Sequence, residues 1–192
     1  TQSRSSAASD VYKRQALIAC EKVIDGIEDN TISTSSALLQ CSKIARLTND
    51  EENLIWLQYE YGGYPRNKEG KIPHEVWEIA YKNGRGYTYE GSQYIFTELA
   101  SELEEKIAAQ QKAIENFTTQ GTSVSGEYAV IAINNLTSSV SKSTNNLITN
   151  ITTAQKRLAS LKAKYYEYAL IKQIELSLSL IHISEPTRLR RI

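Results

Sequence analysis

A seven-residue recurrence of apolar side chains in the second half of the chain is the strongest constraint on its fold. Ile133, Val140, Leu147, Ala154, Leu161 and Tyr168 follow one another at steps of seven, with Ile151, Leu158 and Tyr165 interleaved. An α-helix turns such spacing into one continuous stripe, and a stripe of period near 3.5 must be covered by another helix. The pattern predicts a helix from about Glu127 to Leu176, roughly 75 Å long at 1.5 Å per residue. Upstream of it, Thr97 caps a second amphipathic pattern. Leu99, Leu103, Ile107, Ile114 and Phe117 lie on one side of this pattern, opposite Glu98, Glu102, Glu105, Lys106 and Lys112. Gly121 and Gly126 interrupt the two helices, so residues 97–177 are expected to form a helical hairpin with coiled-coil character. The shorter helix spans only about 30 Å. The longer one therefore either breaks in the Ser-, Thr- and Asn-rich stretch from Asn134 to Thr153, or lays its far end on a partner subunit or on the preceding helices.

Residues 16–96 read as short helices followed by a small antiparallel sheet or hairpin. Leu17, Cys20, Val23, Ile24 and Ile27 step by three and four, and Asn30 and Thr31 end that helix. Thr34 and Ser35 stand as caps for a stripe of Leu38, Cys41, Ile44 and Ala45 that stops near Thr48 and Asn49. Asn49 or Asp50 caps the next helix, in which Glu51 and Glu52 suit the positive N-terminal end. Leu54, Trp56, Leu57 and Tyr61 follow before Gly62 and Gly63 halt it. Beyond the turn-rich stretch from Tyr64 to Pro73, the segment from Val76 to Tyr81 fits a short strand, and also fits a helix with a stripe of Val76, Ile79 and Ala80. The strand is the expectation adopted. Asn83 and Gly84 make a two-residue hairpin signal, with Tyr87, Tyr89, Tyr94, Ile95 and Phe96 on the returning strands. The fold class expected is thus mainly α, with a small sheet.

The two ends are expected to be non-native. Residues 1–15 and 178–192 are similar to peptides that arise when sequencing adapter left on an assembled contig is translated, and such segments are excluded from fold reasoning. Basic and acidic side chains balance over the whole chain at 22 each, but six of the basic and two of the acidic ones lie in these ends, leaving the rest at −4. A mildly acidic domain argues against nucleic-acid binding, which draws on clustered Lys and Arg. Nor is any apolar run long enough for a transmembrane helix. Cys20 and Cys41, with no CxxC or Cys/His cluster near them, read as reduced core thiols of a cytoplasmic protein.

The run LIACEKVIDGIEDN from Leu17 and the run STSSALLQCSKIARLTNDEENLIWLQYEYGGYP from Ser33 resemble the N-terminal part of the AbiTii family of bacterial abortive-infection proteins. The resemblance rests on Ile24, Asp25 and Ile27 before a polar turn, on the ALL…KIA helix from Ala37 to Ala45, and on Trp56, Leu57 and Glu60 before the exit Gly63, Tyr64, Pro65. It implies a bacterial, cytoplasmic protein connected with phage defence, and it implies no reaction. After Pro65 the chain continues with RNKEGKIPHEVWEIAY, which departs from the family's usual acidic-proline-tyrosine turn.

No catalytic or metal constellation is evident. His74 is the sole histidine outside the ends, and one His with Glu75 and Glu78 is short of the three or more convergent ligands of zinc or iron. Glu51, Glu52 and Glu60 read as helix-dipole compensation rather than as paired catalytic carboxylates. Trp56 is in phase with its apolar stripe and is assigned to the core, leaving Tyr59 and Tyr64 as exposed interaction residues. Lys82 and Arg85, flanking Asn83 and Gly84, are the basic members of the same candidate surface. No cofactor is expected. The function expected is a non-catalytic interaction module that senses, regulates or oligomerises, with a protein partner or a second copy. The alternative is the N-terminal part of a toxin or enzyme whose active part lies beyond residue 177.

Overall fold

The computed structural model describes residues 2–119 and 129–184. In order these form α1 (Gln2–Glu28), α2 (Thr34–Thr48), α3 (Glu51–Gly62), α4 (His74–Ala80), a wide π-type turn (Tyr81–Arg85), β1 (Gly86–Tyr89), β2 (Ser92–Ile95), α5 (Ala100–Thr119) and α6 (Ala129–Ser184). The chain is mainly α with a small antiparallel sheet, as expected. It divides into two units, the first comprising residues 1–100 with 160–192 and the second residues 101–159.

In the first unit the stripes read from the sequence form the core. Ala16, Ala19, Cys20, Val23 and Ile24 of α1 are buried, as are Leu38, Cys41, Ile44 and Ala45 of α2 and Trp56 and Leu57 of α3. Asn30, at φ 53°, takes the left-handed conformation that ends α1. Gly26 lets the reversal come close, since a Cβ there would lie 2.7 Å from Ile32 Cγ2. The cap of α2 is Ser33, one residue before the expected Thr34 and Ser35, and its Oγ accepts from Ser36 N at 3.1 Å. Asp50 caps α3, accepting from Asn53 N at 3.3 Å, with Glu51 and Glu52 in the first turn as expected.

The segment expected as a strand from Val76 to Tyr81 is helical instead. A strand would put Glu78 on the same face as Val76 and Ala80, whereas the helix buries those two against Tyr64 and leaves the Glu78 side chain 64% exposed. Pro73 opens the helix at φ −58°, and its carbonyl accepts from Trp77 N at 2.9 Å.

Asn83 and Gly84 do not turn the hairpin. They end the preceding helix, with Asn83 Nδ2 donating to Ile79 O at 2.8 Å and Gly84 at φ 87°. Gly84 also touches α6, where a Cβ would come within 2.9 Å of Lys164 Cγ and Ser160 Oγ donates to Gly84 O at 2.7 Å. The hairpin turn is Glu90–Gly91, both at positive φ, as a two-residue turn between twisted strands requires. The strands hold Tyr87, Tyr89, Tyr94 and Ile95 as expected, Phe96 lies just beyond the end of β2, and Tyr87 stacks on Tyr94 across the register at 5.6 Å.

Helix α6 does not break. Thr149, Thr152 and Thr153 hydrogen-bond back to the carbonyls of Asn145, Ile148 and Thr149, so these side chains satisfy themselves without leaving the helix. Its far end belongs to the first unit and runs antiparallel to α1. Tyr166 OH donates to Glu28 at 2.6 Å, Lys162 Nζ to Asn30 at 3.3 Å and Lys13 Nζ to Ser179 at 2.8 Å. Leu161, Tyr165, Tyr168, Ala169 and Leu176 are buried there.

In the second unit Leu103, Ile151 and Ala154 are buried. The heptad seam is covered unevenly: Leu147 and Leu158 are only half-buried and Val140 is 39% exposed, so of the three leucines on the seam Leu161 alone is fully enclosed. Lys142 and Lys156 face water, and Lys162 is half-buried. Gly121 and Gly126, and the side chains of Phe117 and Ile133, lie outside the described residues.

Candidate functional site

The chemically most concentrated place in the first unit is built on one row of α3. Trp56 and Glu60 are four residues apart, and Tyr64 follows at the same step just beyond the helix end at Gly63, so the three side chains point the same way. The row faces inward, and with it goes a carboxylate. Glu60 is 0% exposed.

Burying a carboxylate costs several kcal/mol unless a counter-charge and donors meet it. Here both do. Arg85, also fully buried, is brought in by the turn at Gly84. Its Nε lies 3.0 and 3.2 Å from the two Glu60 oxygens and its Nη2 lies 2.5 Å from Oε2. Tyr165 OH donates to Oε2 at 3.0 Å, Trp56 Nε1 donates to Oε1 at 3.3 Å, and Tyr64 OH donates to Oε1 in a short bond. The remaining face of the guanidinium is used as well, since Arg85 Nη1 donates to the carbonyls of Phe96 and Glu98. Its plane sits 4.9 Å from the Phe96 ring centre and 5.3 Å from that of Tyr64.

The surroundings of Arg85, Tyr64 and Tyr165 favour the protonated form of each. Burial alone would lower the Arg85 value, but the hydrogen bonds and charge of Glu60 more than offset it and hold the guanidinium above its ordinary range. Burial and then the Glu60 charge push both Tyr64 and Tyr165 upward, so each stays a donor at any physiological pH. The carboxylate oxygens are saturated, leaving no lone pair for a metal ion or a substrate proton. The cluster ties α3, the Gly84 turn, the β2 exit and α6 together.

Two of the four expected interaction residues are therefore not on the surface. Tyr64 is 8% exposed, because its hydroxyl is needed by Glu60, and Arg85 is enclosed for the same reason. Tyr59 is half-buried and packs on Tyr64 at 5.8 Å between ring centres. Only Lys82 is exposed, at the rim of a cleft of ≈ 230 Å³ that includes Trp56, Asn53, Asn83, Lys164 and Tyr168. Glu60, read as a dipole-compensating surface acid, was misplaced. The signal that could have found it is its four-residue step from Trp56: an acid in phase with a core tryptophan must have a buried partner.

Trp56 is in the core as expected, 5.9 Å from Tyr165 and 6.2 Å from Tyr168. His74, with its side chain 81% exposed, makes an i,i+4 contact to Glu78 at 3.3 Å. Among the described residues no group of three or more His, Cys, Asp or Glu is placed to hold a metal ion. Both cysteines are free and buried.

The fold and this cluster define a mainly α protein held together by a buried ion pair inside an aromatic cage. Comparison with known proteins places it more closely. The AbiTii family model matches residues 20–184, so the resemblance quoted above, from Cys20 to Pro65, is part of a far longer correspondence, and the chain belongs to the AbiTii family. That family connects it with abortive infection, a form of phage defence. No curated protein and no solved structure matches the chain. Among the described residues no helix is long and apolar enough to cross a membrane.

Proposed function

We propose that the chain is a non-catalytic interaction module of a cytoplasmic phage-defence protein, acting through contacts with a protein partner or a second copy. The observation that carries this reading is the saturation of the Glu60–Arg85 cluster. Its acid and its base are spent on each other and on Trp56, Tyr64 and Tyr165, so its most perturbed groups support architecture and offer nothing to a substrate. Large apolar side chains stand in water at the same time, with Leu39 at 53% and Tyr61 at 66% exposure. Aromatic and aliphatic anchors of this kind are what protein interfaces bury.

A plaque assay in bacteria carrying the intact locus tests the reading, with His74→Ala and Glu78→Ala made singly. Both groups are exposed and chemically versatile, and an interaction module survives their loss. Defence that vanished in either variant, with thermal stability unchanged, would assign chemistry to that residue and overturn the proposal.

A further inference from the structure

Helices α2 and α3 leave a groove between them on the outer side of the first unit, of ≈ 450 Å³. Along α2 its wall carries Leu39, Lys43 and Arg46; along α3 it carries Leu54, Gln58 and Tyr61. Each set follows the i, i+4, i+7 spacing of one helical row, so the groove is two parallel stripes with a furrow between them. Leu39 and Tyr61 are exposed at its two walls, while Leu57 closes the floor.

The charge of this groove has one sign. Lys43 and Arg46 are exposed and form no ion pair among the described residues, and no Asp or Glu lines the furrow. Lys71, Lys164 and Lys172, by contrast, each have a carboxylate within 3.2 Å. The two cations at the furrow are thus left for something outside the chain. Two charges are too few for a nucleic-acid backbone, where affinity grows with the number of phosphates neutralised. They are enough to select and orient one face of a peptide.

We infer that this groove docks an amphipathic helix of a separate protein, with apolar side chains at i, i+4 and i+7 entering between Leu39 and Tyr61 and carboxylates meeting Lys43 and Arg46. The seven-residue step from Leu39 to Arg46 rises about 10.5 Å, two turns of helix, which matches that anchor spacing. The inference rests on the interaction-module reading and gives it a partner chemistry.

The test is a charge swap on the full chain. A fluorescein-labelled synthetic helix of about fourteen residues, with leucines on one stripe and glutamates beside it, is titrated by anisotropy against its twin carrying lysines. The acidic peptide is expected to bind and the basic twin to fail. Lys43→Glu with Arg46→Glu is expected to weaken the acidic peptide at least about tenfold and to admit the basic one. Leu39→Asp should weaken both pairings, and circular dichroism shows whether each variant is folded. Equal binding of the two peptides, binding of neither, or indifference to the double substitution overturns the inference. So does light scattering in which the native chain is a dimer and the double variant a monomer, because a second copy would then fill the groove. The plaque assay above is independent of this result, so a failed titration with defence intact in the His74 and Glu78 variants removes the groove and not the module.

Discussion

Glu60 and Arg85, twenty-five positions apart in the chain, face each other with both side chains fully buried and Nη2 2.5 Å from Oε2. Removing one charge leaves the other buried without its counter-charge. Glu60→Gln also places an amide donor among the donors that had converged on a carboxylate. It is expected to cost about 3–5 kcal/mol. Replacing Glu60 and Arg85 together by methionine should cost less than the single change. Urea unfolding monitored by circular dichroism measures both, and a Glu60→Gln variant within 1 kcal/mol of native, on the order of a surface substitution, would contradict the assignment of the pair as the clamp of this unit.

Gly84 is required on two counts, a φ of 87° and a Cβ position 3.1 Å from the Ser160 carbonyl. Gly91 has a similar φ of 76° with nothing within 4 Å. Gly84→Ala should therefore destabilise more than Gly91→Ala. The second carries only the left-handed backbone term of about 1–2 kcal/mol, and the first adds the overpacking cost of about 1–3 kcal/mol. Equal unfolding midpoints for the two variants would show that the close approach to α6 is absent in solution.

Asp50 gives the first unit a pH dependence whose sign follows from its surroundings. Burial alone would raise its carboxyl, but hydrogen bonds from Lys172 and Asn53 outweigh this and hold it below its ordinary 3.8. A lowered folded value means stability that is present above pH 3.8 and lost as pH falls through the folded value. Lys172, 2.9 Å away, is raised above its ordinary 10.5: burial alone would lower it, and its bonds to Glu175 and Asp50 prevail. Its contribution is present below 10.5 and lost as pH rises past the folded value. Asp50→Asn keeps a good capping side chain and removes the charge. The acid limb of the unfolding midpoint against pH should flatten in this variant, and an unchanged limb would exclude the Asp50–Lys172 pair as its source.

Leu161 is fully buried on α6, whereas Lys156 is exposed. Leu161→Ala is expected to cost about 2–5 kcal/mol, and Lys156→Ala less than about 0.5 kcal/mol. Half-buried Leu158 should fall between them. Equal urea midpoints for Leu161→Ala and Lys156→Ala would mean that the far end of α6 is uncovered.

Burial pushes the Cys20 thiol up to about 11 and the Cys41 thiol up as well, and both residues are 0% exposed. Neither should react with a thiol reagent at neutral pH until the unit unfolds. Labelling faster than unfolding would place at least one of them at the surface.

The local signals in the chain were read correctly where one physical rule decided the outcome. Apolar steps of three and four place the α1, α2 and α3 stripes, Asn49 and Asp50 announce a cap that the structure gives to Asp50, and the alternating tyrosines at Tyr87, Tyr89 and Tyr94 mark the two strands. The segment from Val76 to Ala80 satisfied two periods at once. Packing against Tyr64 chose between them, by keeping Glu78 in water. Asn83 and Gly84 signalled a left-handed turn correctly, but a left-handed turn serves the end of a helix as well as a hairpin.

By itself the sequence determined the helical character, the helix boundaries to within a residue or two at α2 and α3, the core placement of Trp56 and the family. These depend on spacing and on side-chain chemistry within a few turns of one element. What only the tertiary structure decided is which charges face water. Glu60 and Arg85 carry the same charges as Glu51 and Lys82 and lie in similarly polar stretches, yet the first pair is enclosed and the second two are exposed. The difference is made by the Gly84 turn and by Tyr165, a hundred and five positions from Glu60, converging on one carboxylate. Coulomb attraction between two fully buried charges offsets the cost of burying them, but the meeting itself is a product of how distant helices pack.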